Sequence, residues 1–418
     1  MNVLWPTKAL AEICEIRPPK SEAKRSATDS DLVSFVPMED LGINQKFLEP
    51  KVERKLNQVA GSYTYFAEGD VLLAKITPCF ENGKLGIARG LTNAIGFGSS
   101  EYIVFRPSSE LSNEYLYYFL SQDSFRSAGT DTMSGAVGHK RVAKEFIEGF
   151  QIPIPSLAEQ QRIVAILDEA FAGLATATAN AEKNLNNARE LFESYLGVTF
   201  ARGSGRWLEM RLEKMVDERC SLSYGIVQPG DEKADGLPIV RPVDMTTKTI
   251  RVDGLKRIDP SLAEPYSRTR LRGGELLLCV RGTTGAVSVA ANELSGANVT
   301  RGIVPIIFNM SVATQRFGYY ALLSEPVQRQ IRAKTYGTAL MQINIRDLRK
   351  LLIPIPPLSE QDDIATRLDT LSEEALRLQV TYRNKRNNLL ALKQTILREA
   401  FSGELTSPPS QAIKEAVE

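Results

Sequence analysis

Histidine is almost absent: His139 is the only one in 418 residues, and the four cysteines, Cys14, Cys79, Cys220 and Cys279, lie far apart with no C-x-x-C pair. One imidazole cannot build an H-E-x-x-H zinc site, and a Ser/His/Asp triad would have to rest on His139 alone. The cysteine spacing suggests neither a zinc knuckle nor a disulfide framework, so reduced structural thiols are expected. No G-x-x-x-x-G-K-[ST] loop or G-x-G-x-x-G fingerprint occurs. The run Arg281-Gly-Thr-Thr-Gly-Ala286 is glycine-rich but lacks the phosphate-binding lysine, and reads as a tight turn after a strand. No stretch approaches the roughly 18 consecutive apolar residues of a membrane helix, and the N-terminus lacks the basic-then-apolar order of a secretory signal, so a cytoplasmic location is expected. These absences leave no legible catalytic, metal or cofactor site.

What is present is the composition of a globular chain, 43% hydrophobic and 24% charged, long enough for two or three domains. The formal net charge of +1 conceals an uneven distribution. Residues 1–156 carry 17 basic and 19 acidic side chains, whereas residues 201–356 carry 23 and 15. A basic face suited to phosphates is therefore expected in the later segment, and only local basic clusters in the earlier one.

The chain is one unit written twice. Ile152-Pro-Ile-Pro-Ser-Leu-Ala-Glu-Gln160 returns as Ile353-Pro-Ile-Pro-Pro-Leu-Ser-Glu-Gln361, 201 residues later, and Phe401 answers Phe200 at the same offset. Weaker echoes precede these: Trp5 and Trp207, the Gly69 and Gly274 strands, Tyr117-Tyr118 and Tyr319-Tyr320. A fixed-period repeat sets domain boundaries that composition alone blurs. Each copy has a variable part followed by a better matched part.

The matched part reads as a long helix. Proline fixes φ and pushes the preceding residue towards extended geometry, so the helix starts only after the I-P-I-P run. Ser156 and Glu159 fit an S-x-x-E capping box. A 3-4 spacing follows through Ile163, Leu167, Leu174, Asn184 and Leu191, and in the second copy through Ile364, Leu368, Leu378, Lys385 and Leu392. Such a seam calls for a partner helix, and the polar residues Asn184 and Lys385, in the same slot of each copy, suggest a specified register. Antiparallel pairing lets a pseudo-twofold axis relate the halves and puts the variable domains at opposite ends. The expected fold is α+β, with two globular α/β domains separated by two long antiparallel helices that form a coiled-coil spacer. In the variable parts, Val71–Ala74, Tyr102–Phe105, Glu275–Val280 and Ile303–Phe308 read as strands, and Asn113–Gln122 and Gln315–Ser324 as short helices.

This architecture resembles the DNA-specificity subunits of type I restriction-modification systems, on the duplicated I-P-[IL]-P-x-L-x-E-Q run that opens a long helix. The resemblance implies a non-catalytic subunit with target recognition domains at 1–155 and 205–356, conserved helical regions at 156–204 and 357–405, and a tail, 406–418, without a core to join. Each recognition domain would read one half of a split double-stranded DNA target. The helices would act as a ruler and dock two modification subunits, which carry S-adenosylmethionine. Two restriction subunits, using ATP and Mg, are possible further partners. No cofactor belongs to this chain.

Base reading needs polar side chains on loops that reach the major groove, Arg pairing with guanine and Asn or Gln with adenine. The candidates in the first domain are Lys20, Arg25, Lys75, Thr77, Ser99, Ser100, His139, Lys140 and Arg141. Those in the second are Tyr224, Arg241, Arg281, Thr283, Thr284, Thr300, Arg301, Gln342 and Asn344. Turn geometry competes for Thr283 and Thr284, and an internal ion pair or backbone phosphate for Arg241. A second class of function stays open at this stage: a pseudo-symmetric protein-binding scaffold without DNA readout.

Overall fold

The computed structural model describes residues 5–203, 205–337 and 340–406. The tail from 407 onwards lies outside the described residues. The chain forms two compact units, residues 1–181 with 384–418 and residues 182–383. Two long helices, Leu157–Gly203 and Leu358–Ser402, each contribute to both units.

In the first unit, two four-stranded sheets form the body. One runs Cys14–Ile16, Tyr102–Pro107, Val71–Ala74, Leu85–Ile87, all antiparallel. The other runs Val52–Lys55, Leu32–Val36, Ile95–Gly98, Thr64–Ala67, with the middle pair parallel. Val71–Ala74 is buried along its whole length, as expected of an apolar run covered on both faces. The second unit follows a related plan, with one four-stranded and one three-stranded sheet. Leu276–Cys279 pairs with Val287–Ala290 and Ile303–Ile306, and Leu237–Val240 lies parallel to Asn298–Val299.

The I-P-I-P runs are extended, and each closes its own domain. Gln151–Pro153 pairs antiparallel with Thr7–Ala9, and Leu352–Ile355 with Leu208–Arg211, so the two ends of each variable domain are tied together. Helix follows directly. The Ser156 hydroxyl accepts from the Glu159 N–H at 3.3 Å, and the Glu159 carboxylate faces Arg162 at 3.8 Å.

The two long helices run antiparallel within each unit. In the first, Ile163, Val164 and Leu167 share a core with Leu397, Ala400 and Phe401; in the second, Leu196 and Phe200 share one with Ala365 and Leu368. The start of one helix therefore meets the end of the other. The buried line departs from the 3.5-residue seam expected from sequence. It keeps Ile163, Leu167, Ala181 and Ala188 of the 3-4 spacing but moves to Leu185 and Leu196 in place of its other members, leaving Leu191 48% exposed; in the other helix Leu378 and Leu392 are 37% and 46% exposed. Asn184 is half-buried, Lys385 is exposed, and Arg386 rather than Lys385 turns inward. The reason is geometric: a straight helix has 3.6 residues per turn, so a strict 3.5 spacing drifts by about 20° per heptad away from the contact face. Leu157–Ala201 also has an 18-residue window with mean hydropathy 1.2, long and apolar enough by length and composition to cross a membrane.

A buried glutamine fixes each helix to its domain. The Gln160 Oε1 accepts from Ser112 N–H at 2.8 Å, and its amide donates to the carbonyls of Glu110 and Pro155. Gln361 does the same with Thr314 N–H and the carbonyls of Val312 and Pro356. Both side chains are fully buried, and each satisfies backbone groups that would otherwise lack partners. About two turns further on, Tyr118 donates to Asp168, which Lys46 approaches at 2.8 Å. Tyr320 donates to Asp369 at 2.5 Å, with Lys248 at 2.7 Å.

Candidate nucleic-acid interface

Most of the candidate side chains lie near corresponding strand ends. In the first unit Ala74 pairs with Tyr102, and Lys75 leaves that end while Ser99 and Ser100 enter it. The Thr77 N–H donates to the Lys140 carbonyl at 2.9 Å and the Val142 N–H to that of Lys75 at 3.0 Å, so the loop carrying His139, Lys140 and Arg141 lies against the Lys75–Thr77 segment. Ser134 and Arg141 exchange backbone hydrogen bonds across the base of this loop, which makes it a tight hairpin. Gly135 is required there: its φ is +128°, and a Cβ would meet the His139 carbonyl oxygen at 2.9 Å. Val137 at the tip is 94% exposed.

Glu101 organises the charges. Arg141 donates to both its oxygens, at 3.0 and 2.7 Å, and to the His139 carbonyl at 3.0 Å. Lys75 Nζ sits 3.7 Å from Glu101 and donates to the Ser100 carbonyl at 2.9 Å. The Arg141 hydrogen bonds hold the Glu101 carboxyl below its ordinary value, although burial opposes this. Burial lowers the Lys75 ammonium against the pull of Glu101. Lys20 and Arg25 lie elsewhere. Lys20 donates to the Gly61 carbonyl, and Arg25 is exposed on the Ser21–Ser26 helix; no described hydrogen bond ties either to the cluster.

In the second unit the equivalent end is Cys279 opposite Ile303. Arg281 leaves it and forms an antiparallel bridge with Gln342, while Gly282 N–H donates to the Met341 carbonyl at 2.8 Å. Thr284 donates to that same carbonyl at 3.3 Å, and Thr283 lies 3.5 Å from the Cys279 sulfur. The Asn344 side-chain oxygen accepts from Tyr336 at 2.7 Å, and Tyr224 donates to the Ile343 carbonyl at 3.3 Å. Gln342 has no side-chain hydrogen bond among the described residues. Tyr224, Tyr336, Leu340 and Met341 are exposed around it.

Three second-unit candidates are more constrained. Thr300 is buried, with its hydroxyl turned to the Val240 carbonyl. Arg241 forks onto Asp244 at 3.1 and 2.8 Å, the internal ion pair that sequence had offered as one option. Arg301 is half-buried beside Ile226, to whose carbonyl its N–H donates. Sequence reasoning missed Glu101 and Tyr336, which position candidate readers, and the Lys46/Lys248 and Asp168/Asp369 pairs. The last pair was within reach: Leu167-Asp168 and Leu368-Asp369 stand 201 residues apart, the offset of the I-P-I-P runs.

Equivalent loop clusters thus recur at one strand end of each unit. The chain belongs to the type I restriction modification DNA specificity domain family, whose sequence profile matches residues 2–186 and 231–385. Among relatives, it is 40% identical over 162 residues to the EcoEI type I restriction enzyme specificity subunit and 35% identical over 195 residues to the EcoAI specificity subunit, both from Escherichia coli. Those matches cover 38% and 46% of this chain but only 26% and 32% of the two relatives' own length. A solved chain from work on assembly and conformational transition of the type I R-M system shares the fold, with TM-score 0.77 at 21% identity, covering 96% of this chain and 99% of that one.

Proposed function

We propose that the protein is the DNA-specificity subunit of a type I restriction-modification assembly and that each unit reads one half of a bipartite duplex target. The observation that carries this reading is the duplication of an exposed loop cluster at the same strand end of two domains, with different side chains in each. Family membership favours it over the protein-scaffold alternative. The chain supplies recognition; methyl transfer from S-adenosylmethionine and ATP- and Mg-dependent cleavage belong to two modification subunits and to restriction subunits docked with it.

Arg141 is the guanine reader of the first unit. A guanidinium has five N–H donors, and Glu101 and the His139 carbonyl take three of Arg141's. One N–H remains on each terminal nitrogen, a fork that matches guanine O6 and N7. Gln342, with its amide unengaged, is the adenine reader of the second unit. A binding selection on randomised duplexes, with the chain co-expressed with its modification subunit, tests the function. A split consensus with a fixed gap supports it, and binding without sequence preference contradicts it.

A further inference from the structure

We infer that the second unit holds a phosphoryl-binding pocket at the end of its strands opposite the candidate base readers. The readers cluster where Cys279 meets Ile303, whereas the pocket opens where Leu276 meets Ile306, the other end of the same strand pair. Its cavity is about 360 Å³, and Arg219, Arg268, Arg270 and Arg272 line it with Ser267 and Ser295.

The sequence builds this site by alternation. Along Arg268-Thr269-Arg270-Leu271-Arg272, where a 3-10 helix ends at Thr269, Thr269 and Leu271 are buried and the three arginines are exposed. None of the three forms an ion pair among the described residues. Among the described residues the Arg270 guanidinium donates only to the Gly296 carbonyl, at 3.2 Å. The nearby carboxylates are committed. Glu275 accepts the N–H groups of Arg272 and Gly273, and Asp217 is forked by Arg219 at 2.7 and 3.0 Å.

The first unit shows the same place with its guanidinium surrounded by carboxylates. There Asp70 occupies the Glu275 position, and Arg106, where the second unit has Ile307, is bound by Asp70 at 2.9 Å and Glu22 at 2.6 Å, with Glu15 at 3.7 Å. The second unit has guanidinium groups in excess of carboxylates, in a concave site. Planar guanidinium forks around a cavity of this size match the tetrahedral oxygens of a phosphoryl group. The phosphate comes either from a free phosphorylated small molecule or from a DNA backbone.

Calorimetric titration of the full chain with pyrophosphate, in phosphate-free buffer of low ionic strength, tests this. Saturable binding is expected, weakened at least about tenfold in the R268E/R272E variant, since each charge-assisted contact is worth roughly 1.5–3 kcal/mol and 1.4 kcal/mol is tenfold. The R268K/R272K variant, which keeps charge but loses the fork, should fall between; it also keeps the test open if charge reversal unfolds the domain, as its melting curve would reveal. Absence of saturable heat, or equal binding by wild type and both variants, overturns the inference. Competition by a duplex lacking the target assigns the pocket to a DNA backbone, and lack of competition to a free phosphorylated ligand; both uphold it. R141A and Q342A should leave pyrophosphate binding intact, which separates this site from base reading.

Discussion

The two loop clusters share a scaffold and differ in chemistry. At the first, Lys75, Glu101 and Arg141 form a charged set in which a carboxylate aims a guanidinium. At the second, the same strand end presents Gln342, Asn344, Tyr224 and Tyr336, with amides and aromatic rings in place of ion pairs. The contacts that bind domain to helix do not differ in this way: Gln160 and Gln361 make the same three hydrogen bonds, and the Lys46–Tyr118–Asp168 set recurs as Lys248–Tyr320–Asp369. The anchoring is held constant while the reading surface varies. This arrangement lets one pair of helices carry two loop clusters of different chemistry.

The largest effects should come from the shared anchors. Replacing Gln160 or Gln361 by alanine strands three buried backbone groups and should cost about 3 kcal/mol in either unit, read by denaturant unfolding; a loss in one unit only would break the equivalence. Tyr118→Phe and Tyr320→Phe each remove a hydrogen bond to a carboxylate and should each cost about 2 kcal/mol. Unequal costs would show that Arg316, which also reaches Asp369 at 2.7 Å, makes the second anchor different from the first.

Smaller effects sharpen the contrast between readers. Glu101→Ala leaves Arg141 charged but unaimed, and should weaken specific binding about tenfold while raising non-specific binding, measured by duplex titration with the modification subunit present. Among the described residues the second cluster holds no such carboxylate, and Tyr336→Phe there should weaken binding by less.

The smallest effect expected is a pH dependence. Burial raises Asp369, but hydrogen bonds from Lys248, Tyr320 and Arg316 outweigh it and leave the carboxyl below its ordinary value. A depressed folded pKa contributes stability that is present above the unfolded value of about 4 and is lost as pH falls through the folded one. Asp369→Asn should therefore flatten the acid limb of the stability curve, and an unchanged limb would contradict this role.

Much of the fold was legible because its signals are local. The prolines of the I-P-I-P runs force extended chain before a helix, and Val71–Ala74 and Ile303–Ile306 are apolar runs bounded by turn residues. The helix seam was legible in existence but not in phase, because a 3.5 spacing read over nine turns accumulates a rotation that a straight helix does not follow. Lys46 and Asp168, 122 residues apart, carry no local mark of their pairing. The candidate sites were partly legible for the same reason. Glycine-rich basic loops announce exposure, as at Gly135–Arg141, but that Glu101 lies beneath Arg141, or that the Thr300 hydroxyl turns inward, depends on which strands meet. Arg241 and Asp244, three residues apart, were the exception, since their pairing needs no long-range contact.

The most direct test compares Arg141→Ala and Gln342→Ala in the proposed assembly with modification subunits, by mapping every methylated base in a genome carrying each variant. The expected result is that each substitution relaxes one base position, by about 1–3 kcal/mol of discrimination, and that the two positions lie in different halves of the target with the gap unchanged. Relaxation of the same half by both variants, or of neither half, would contradict the assignment of one reader to each unit.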